Sequence, residues 1–445
     1  MAEPMLADAS PEKRLFISLL TRDIPLVAAF LDLVDNSVNA AVEPYSQRLR
    51  SATDFYALLG DKRVKPVVQV SLEVAEDRIV VRDTAGGISA VAAGAHVFRF
   101  GRGPGEFHPG DRLSVYGIGL KRAMFKLGNR IVMRSDHAAG GFDMDLNVSE
   151  WAKASQERWG FEILPRAAAA PNDRGTIIKV TELHDEVQRR LSDGVFEGQL
   201  REAIAKTYAY YMAKFVTIRL GSAEVEPLDL EIGSNHTLDE LEMDGVTCAI
   251  TAGIGIPQAG GFRERSSGWF VFCNGRAVVS ADKTPLTGWG AEQGLPIFQP
   301  KHRPFLGSVF FVSEDPERLP WTTTKSGINE DSLVWQRAKR QMAAVGRTVV
   351  SFLDGRYTDE GTEVASKDLQ EAAGDRVSVI SAAAAKQHSF IAPKAPRRIT
   401  TRIQYDAHVD DIKRIAGYLK RPSMSGSEVG RHTFNYFLRN EVGEK

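Results

Sequence analysis

The run "LDLVDNSVNAA", residues 31–41, sets two aspartates and two asparagines among apolar residues at helical spacing. Asp and Asn are poor helix-interior residues, because their short polar side chains compete for nearby backbone groups. A face meant only for water would more often carry Glu, Lys and Arg. On a helical period, Asp32, Asp35, Asn36 and Asn39 fall at i, i+3, i+4 and i+7, one stripe down one face. Two carboxylates and two amides with no cation among them can collect a divalent ion, position a water, or form an ordinary solvated face.

Three further stretches carry reactive or ligand-binding residue types. In "VVRDTAGGIS" a β-rich run ends at Asp83, and Gly86 and Gly87 follow, where the chain turns tightly or lets a ligand approach the backbone. A carboxylate so placed can accept a hydrogen bond from an exocyclic amine such as that of adenine; a plain turn with an Asp cap has the same pattern. In "YGIGLKRAMFKLG", Gly117 and Gly119 precede a helix whose free N–H groups and positive dipole end suit an anion, and Lys121 adds a charge. A flexible connection would also use such glycines. The chain contains no GxxxxGKS or GxxxxGKT, which excludes a P-loop. In "RGTIIKV", Thr176 on a strand can hydrogen-bond a base or a water, or simply pack.

These residues need elements to hold them. Residues 11–43 read as helix, with "TRDIP" breaking it before the polar stripe. Two β-rich runs, 66–74 and 78–83, follow around the turn "AED", and 89–116 reads as a long loop rich in Gly, Arg and Pro. "GIGLKRAMFKLG" returns to helix, and "NRIVMRSD", "GFDMDLNV" and "RGTIIKVTEL" resume strands, so the first ~220 residues predict a two-layer α/β sandwich. A second unit from about 225 holds the strands "GWFVFCNGRAVV" and "GSVFFVSE", the loop "LPWTTTKSGI", and a helix near 331–353 with Val334, Ala338, Met342 and Val345 at helical spacing. The Ala-rich segment 356–398 reads as a linker, and 399–445 as a strand with two short helices.

Composition bounds the class. A chain of 445 residues with 43% hydrophobic and 25% charged residues is a multidomain globular protein with ample core. A formal net charge of -1 gives no whole-molecule electrostatic argument for nucleic acid or membrane, although residues 394–445 hold eleven Lys or Arg against six Asp or Glu. Two cysteines make neither a disulfide framework nor a zinc site. With no signal core in "MAEPMLADASPEKRLF" and no apolar run of membrane length, a cytoplasmic protein is expected.

The order of the motifs is more specific than any one of them: an Asn/Asp helix, Asp-x-x-Gly-Gly, a Gly-rich loop, Gly-x-Gly-Leu-Lys, then Gly-Thr on a later strand. In this order the chain resembles the GHKL ATPases (gyrase B, heat-shock chaperones, histidine kinases, MutL), and most of all the MORC-like and bacterial stand-alone members, over residues 12–355. The resemblance implies an α+β protein. A Bergerat-type ATP-binding domain with an N-terminal arm would span 1–222, an S5-like transducer domain 223–355, a linker 356–398 and a small basic module 399–445. It implies ATP and Mg²⁺, with Asn36 as the metal ligand and Asp32 in the place of the water-activating carboxylate. Asp83 would read adenine with Thr176 in support, and Gly87 and Ile88 would let the base lie close. Gly117, Gly119, Leu120 and Lys121 would form the phosphate-contacting end of a lid. "FVFCNGRAVV" is similar to the transducer's "VNGR" strand, and "LPWTTTKSGI" to the loop that brings a lysine, here Lys325, to the nucleotide, where a cation stabilises transferred charge.

Two residues depart from that pattern. Asp32 stands where many members have Glu, shorter by one methylene, which predicts slow turnover. Asn39 replaces a common Asp. The histidine-kinase branch fits poorly, because the first motif begins near residue 32 and the first histidine is His96, leaving no room for a phosphoacceptor helix pair. The resemblance therefore implies an ATPase clamp that closes as a homodimer when ATP orders a lid over 89–116, with DNA or a protein–DNA complex as the client class. In the bacterial members that activity is associated with DNA modification or phage defence. The other reading is an ATP-binding switch or scaffold with negligible hydrolysis. Residues 399–445 would engage a protein partner or DNA, and no membrane is implicated.

Overall fold

Pro25 ends one helical run and starts the next: α1 (Lys13–Thr21) stops before it and α2 (Leu26–Val42) follows it, where the sequence predicts the break. The structure is a computed structural model. It describes residues 11–64, 68–101, 112–114, 117–154, 159–257, 261–356, 365–386, 388–393 and 403–442, with 365–368 as backbone only. Part of the expected lid, 102–111 and 115–116, lies outside the described residues. Its start does not: Ala90–Ala92 and Ala93–Val97 make a short helical segment that buries Ala93 and Phe98.

Among the described residues there are fourteen α-helices and fourteen strands in two sheets, an α+β architecture. After α3 (Ala52–Gly60) come β1 (Val68–Val74) and β2 (Arg78–Asp83), then the short α4 (Ala90–Ala92) and α5 (Gly119–Leu127). β3 (Gly128–Asp136), β4 (Phe142–Asn147), α6 (Val148–Lys153), β5 (Leu164–Pro165) and β6 (Gly175–Leu183) follow. Helices α7 (Asp185–Leu191), α8 (Phe196–Thr207) and α9 (Ala209–Met212) lead to β7 (Val216–Leu220) and β8 (Ala223–Glu224). The first sheet runs β5-β4-β3-β6-β2-β1-β7-β8, antiparallel throughout except for β1 beside β7. Alternation builds it: Val68, Val70 and Leu72 of β1 face the core while Gln69 and Glu73 face water. Helix α2 packs on β1 and β2 and also touches α5 and α8, so almost its whole circumference is buried. That position explains its odd composition, because a central helix carries its polar residues into the interior.

The second sheet is built from β9 (Glu231–Met243), β10 (Val246–Gly255), β11 (Gly268–Cys273), β12 (Arg276–Asp282) and β13 (Phe305–Ser313), in the order β12-β11-β13-β10-β9. Every residue of β11 and β13 is buried, the mark of strands covered on both faces. Phe310 packs on Phe55 of α3 and its neighbour Phe311 on Trp335 of α10 (Leu333–Gly355), one ring on each face. Cys248 and Cys273 both pair in register with Phe311 from opposite sides. Two strand spacings, about 10 Å, therefore separate them, and both remain free thiols.

Among the described residues of the expected linker 356–398, 365–383 are folded. Helix α11 (Ala365–Ala373), strand β14 (Arg376–Ser378) and helix α12 (Val379–Ala383) extend the second sheet, with β14 pairing to β9 from Arg376↔Gly233 to Ser378↔Glu231. Its alanines are packing residues. Ala372, Ala373, Ala382 and Ala383 are buried, and the α11 backbone comes so close that a Cβ on Gly233 would stand 2.1 Å from the Ala373 carbonyl. Residues 357–364 and 394–402 lie outside the described residues. The chain divides into two compact units, Met1–Pro393 and Lys394–Lys445. The second contains the two expected short helices, α13 (Val409–Tyr418) and α14 (Gly426–Phe437); of its expected strand, 403–405 forms no strand and 399–402 is outside the described residues. No helix among the described residues is long and apolar enough to cross a membrane.

Candidate functional site

Eleven residues singled out from the sequence, drawn from positions 32 to 325, line one cavity of about 800 Å³ between α2, the first sheet, the start of α5 and the Lys325 loop. They are Asp32, Asn36, Asp83, Gly87, Ile88, Gly117, Gly119, Leu120, Lys121, Thr176 and Lys325. That volume lies in the range of small-molecule sites. The residues serve the cavity in different ways.

One end is set by sheet register. Asp83 pairs with Thr176, and Thr176 with Ser135, so strands β2, β6 and β3 hold the three side by side in one row. Asp83 Oδ1 accepts from the backbone N–H of Ala85 at 2.9 Å and of Thr176 at 3.3 Å, and Oδ2 accepts the Ser37 hydroxyl at 2.9 Å. Burial raises the Asp83 carboxyl above its ordinary range, and these three hydrogen bonds pull against it without cancelling it. Ser135 Oγ accepts the Ile88 N–H at 2.6 Å and lies 3.2 Å from Thr176 Oγ1, fixing the chain after the glycines to the same row. Gly87 has φ 73°, and a Cβ there would stand 2.1 Å from the Asp136 carbonyl oxygen. Its bareness is required first by neighbouring backbone, not by a bound ring.

The other end is the N-terminus of α5. Gly117, at φ 63°, turns the chain into the helix, and the first N–H groups of α5 open at the cavity wall. Lys121 does not reach for an anion there. It is 1% exposed, and its ammonium donates to the backbone carbonyls of Val97, at 2.8 Å, and Gly117. It ties Val97, within the expected lid, to Gly117 just after it. Gly119 lies against Asp32, whose carboxyl carbon and Oδ1 would be 3.5 Å from a Cβ on that glycine.

Between these ends, the polar stripe of α2 divides by environment. Asn36 is exposed at the cavity and donates its amide N–H to the Asp32 carbonyl at 2.9 Å, which leaves its Oδ1 for a ligand. Asn39 is buried and accepts the Leu113 N–H at 3.0 Å. Asp35 is a buried anchor: it takes the Arg276 Nε at 2.9 Å, the Lys325 Nζ at 2.6 Å and the Tyr208 hydroxyl at 2.7 Å. Burial alone would raise its carboxyl, but the Arg276 and Lys325 charges prevail and hold it at about 2. Asp32, 2% exposed, takes Nε of Arg122 at 2.9 Å and Nη2 at 2.5 Å, both on Oδ2. Its Oδ1 is buried without a hydrogen-bond partner among the described residues. Burial raises the Asp32 carboxyl above its ordinary range although Lys325 and Arg122 oppose this.

Lys325 itself sits in left-handed backbone, φ 53°, where a non-glycine residue is strained. Its loop is fastened at three points: Lys325 to Asp35, Arg276 Nη1 to the Lys325 carbonyl at 2.5 Å, and Arg122 Nη1 to the Thr323 carbonyl at 3.4 Å. Arg122, Arg276, Tyr208, Ser37 and Ser135 carry this site without having been assigned to it from the sequence. The only local signals were positional: Arg122 follows Lys121, Ser37 follows Asn36, and Arg276 lies within the quoted "NGR".

Among the described residues no group of three or more His, Cys, Asp or Glu side chains is spaced to hold a metal ion. No protein-family model matches the chain. No curated protein matches it either.

Proposed function

We propose that this cavity binds Mg·ATP and that the chain hydrolyses it, using a Bergerat-type domain followed by an S5-like transducer that delivers Lys325. One observation carries the reading: residues chosen from separate motifs across almost three hundred positions, for one nucleotide, converge on one cavity of about 800 Å³. The two ends suit the two ends of that ligand. A carboxylate beside a hydrogen-bonded hydroxyl row accepts an exocyclic amine, and a helix N-terminus receives phosphates. Asn36 Oδ1 is an oxygen donor suited to Mg²⁺, which is commonly held by few protein ligands together with substrate phosphates and waters. When bound, the ion would neutralise phosphate charge. Asp32 Oδ1 takes the proton of the attacking water as its oxygen bonds to the γ-phosphorus and the bond to ADP breaks. Lys325 faces the charge that moves onto the leaving oxygen.

The clamp follows from the same reading. A γ-phosphate competing with Asp35 for Lys325 would loosen the loop that ties the second sheet to α2, a two-state element biased by nucleotide. Closure would then pair two copies, with DNA or a protein–DNA complex as the client class. A second reading, a nucleotide-gated scaffold without turnover, is favoured by one observation: Arg122 already occupies half of the Asp32 carboxylate.

The test is binding and turnover together. Calorimetry with a non-hydrolysable ATP analogue and Mg²⁺ should give saturable binding. Asp83→Ala should weaken it by about 1.5–3 kcal/mol, roughly 10- to 150-fold, the loss expected for a hydrogen bond to a charged acceptor. Equal affinity in the two proteins would remove Asp83 from base recognition. Binding by the wild type with no release of phosphate would favour the scaffold.

A further inference from the structure

We propose that Arg122 is the positioning residue that aims Asp32, and this rests on the hydrolytic reading above. The strongest arginine–carboxylate geometry is a fork in which each N–H meets a different oxygen. Here both donors, Nε at 2.9 Å and Nη2 at 2.5 Å, converge on Oδ2. Rotation about the Cβ–Cγ bond of Asp32 is thereby stopped, with Oδ1 left bare and buried. A pair kept only for stability would occupy both oxygens, because an unpaired buried acceptor costs about 1–3 kcal/mol. Gly119 leaves room beside the same oxygen, since a methyl group there would stand in van der Waals contact with it at 3.5 Å. The guanidinium is steadied from its far side by the Thr323 carbonyl at 3.4 Å, in the loop that carries Lys325. Arg122 thus makes the single-oxygen geometry of a short Asp usable where a longer Glu would reach the water by itself, and it couples that geometry to the second sheet.

A residue that acts only through Asp32 makes a specific pattern in kinetics. Arg122→Gln should lower kcat for Mg·ATP by at least about 30-fold, while KM and the affinity for a non-hydrolysable analogue change by less than about threefold. Arg122→Lys, which keeps the charge but loses the fixed fork, should recover part of kcat. In an Asp32→Asn background, Arg122→Gln should cost nothing further, because the group it aims has gone. That double variant also removes both buried charges together, which protects folding where Arg122→Gln alone fails. Independent losses in the double variant, or a raised KM at unchanged kcat, would overturn the proposal and make Arg122 a phosphate contact. A wild type that binds nucleotide but never hydrolyses it would sink the hydrolytic reading and this proposal with it. Wild-type kcat in Arg122→Gln beside an active parent would sink the proposal alone.

Discussion

Replacing Asp35 by Ala should destabilise the folded chain by about 3–5 kcal/mol, the cost of removing one partner from a buried ion cluster. Asp35 is 4% exposed and is the common acceptor of Arg276, Lys325 and Tyr208, which come from β12, the loop before α10, and the junction of α8 and α9. Without it two cations remain in an interior that cannot hydrate them, and the Tyr208 hydroxyl keeps only the Leu31 carbonyl. Asp35→Asn should lose less, since its amide oxygen still accepts one of these donors. Urea midpoints of the two variants against wild type measure this. A loss below about 1 kcal/mol for the alanine variant would mean that water reaches both cations and that the cluster does not hold the two sheets together.

The same cluster fixes a pH dependence whose sign can be worked through. The folded carboxyl of Asp35 lies at about 2, below the ordinary 3.8, so the folded state binds its proton less well than the unfolded chain does. Its contribution is complete above the unfolded value and disappears as pH falls from about 4 to about 2, on the order of 2 kcal/mol at 1.36 kcal/mol per unit. Asp32 and Asp83 act in the opposite sense, because burial raises both. The folded state keeps their protons to higher pH, so they oppose folding above their folded values and are relieved on acidification. Urea midpoints measured between pH values of about 2 and 6 should therefore fall on acidification in the wild type and fall less in Asp35→Asn. Identical slopes would remove Asp35 from the acid limb.

Why Asp35 rather than Asp32 became the anchor was not legible in the sequence. Periodicity put both on one stripe, and their difference of three positions, about 60° around the helix, decides which neighbour each meets. Those neighbours lie far along the chain: Arg122 is 90 residues from Asp32, and Arg276 and Lys325 are 241 and 290 residues from Asp35. No local pattern encodes such pairings. Asp83 has a local signal, the end of a β-rich run beside two glycines; its row with Thr176 and Ser135 needs strand register. For Lys121 the direction of the side chain is what a local motif does not carry. "GLK" suggested a cation beside an anion site, yet the side chain leaves α5 toward the Val97 carbonyl. Composition alone predicts a linker for the Ala-rich stretch after α10, whereas Ala372 and Ala373 are buried where the α11 backbone comes close to Gly233 of β9.

Asp32→Asn should lower phosphate release by about 10²–10⁴-fold while leaving nucleotide affinity within about threefold, the range expected when a positioned proton acceptor is removed. The substitution keeps side-chain size and leaves an amide oxygen to receive Arg122, so the fold is spared most of the loss that alanine would bring. Among the acids on α2 only Asp32 can serve. Asp35 has three donors on its two oxygens and is held at about 2, too weak a base and too fully occupied to accept a proton from water. Asp32 lines the cavity and keeps one buried oxygen without a hydrogen-bond partner among the described residues, and its raised carboxyl makes it the stronger base of the two. Steady-state phosphate release and analogue binding, measured side by side on wild type and variant, separate the outcomes. If turnover is lost and binding kept, Asp32 acts on the water. If turnover persists in Asp32→Asn, the bare oxygen is not the proton acceptor, and the cavity accelerates hydrolysis through Lys325 and the α5 N-terminus alone. If both are lost, the Asp32–Arg122 pair shapes the cavity before it does any chemistry.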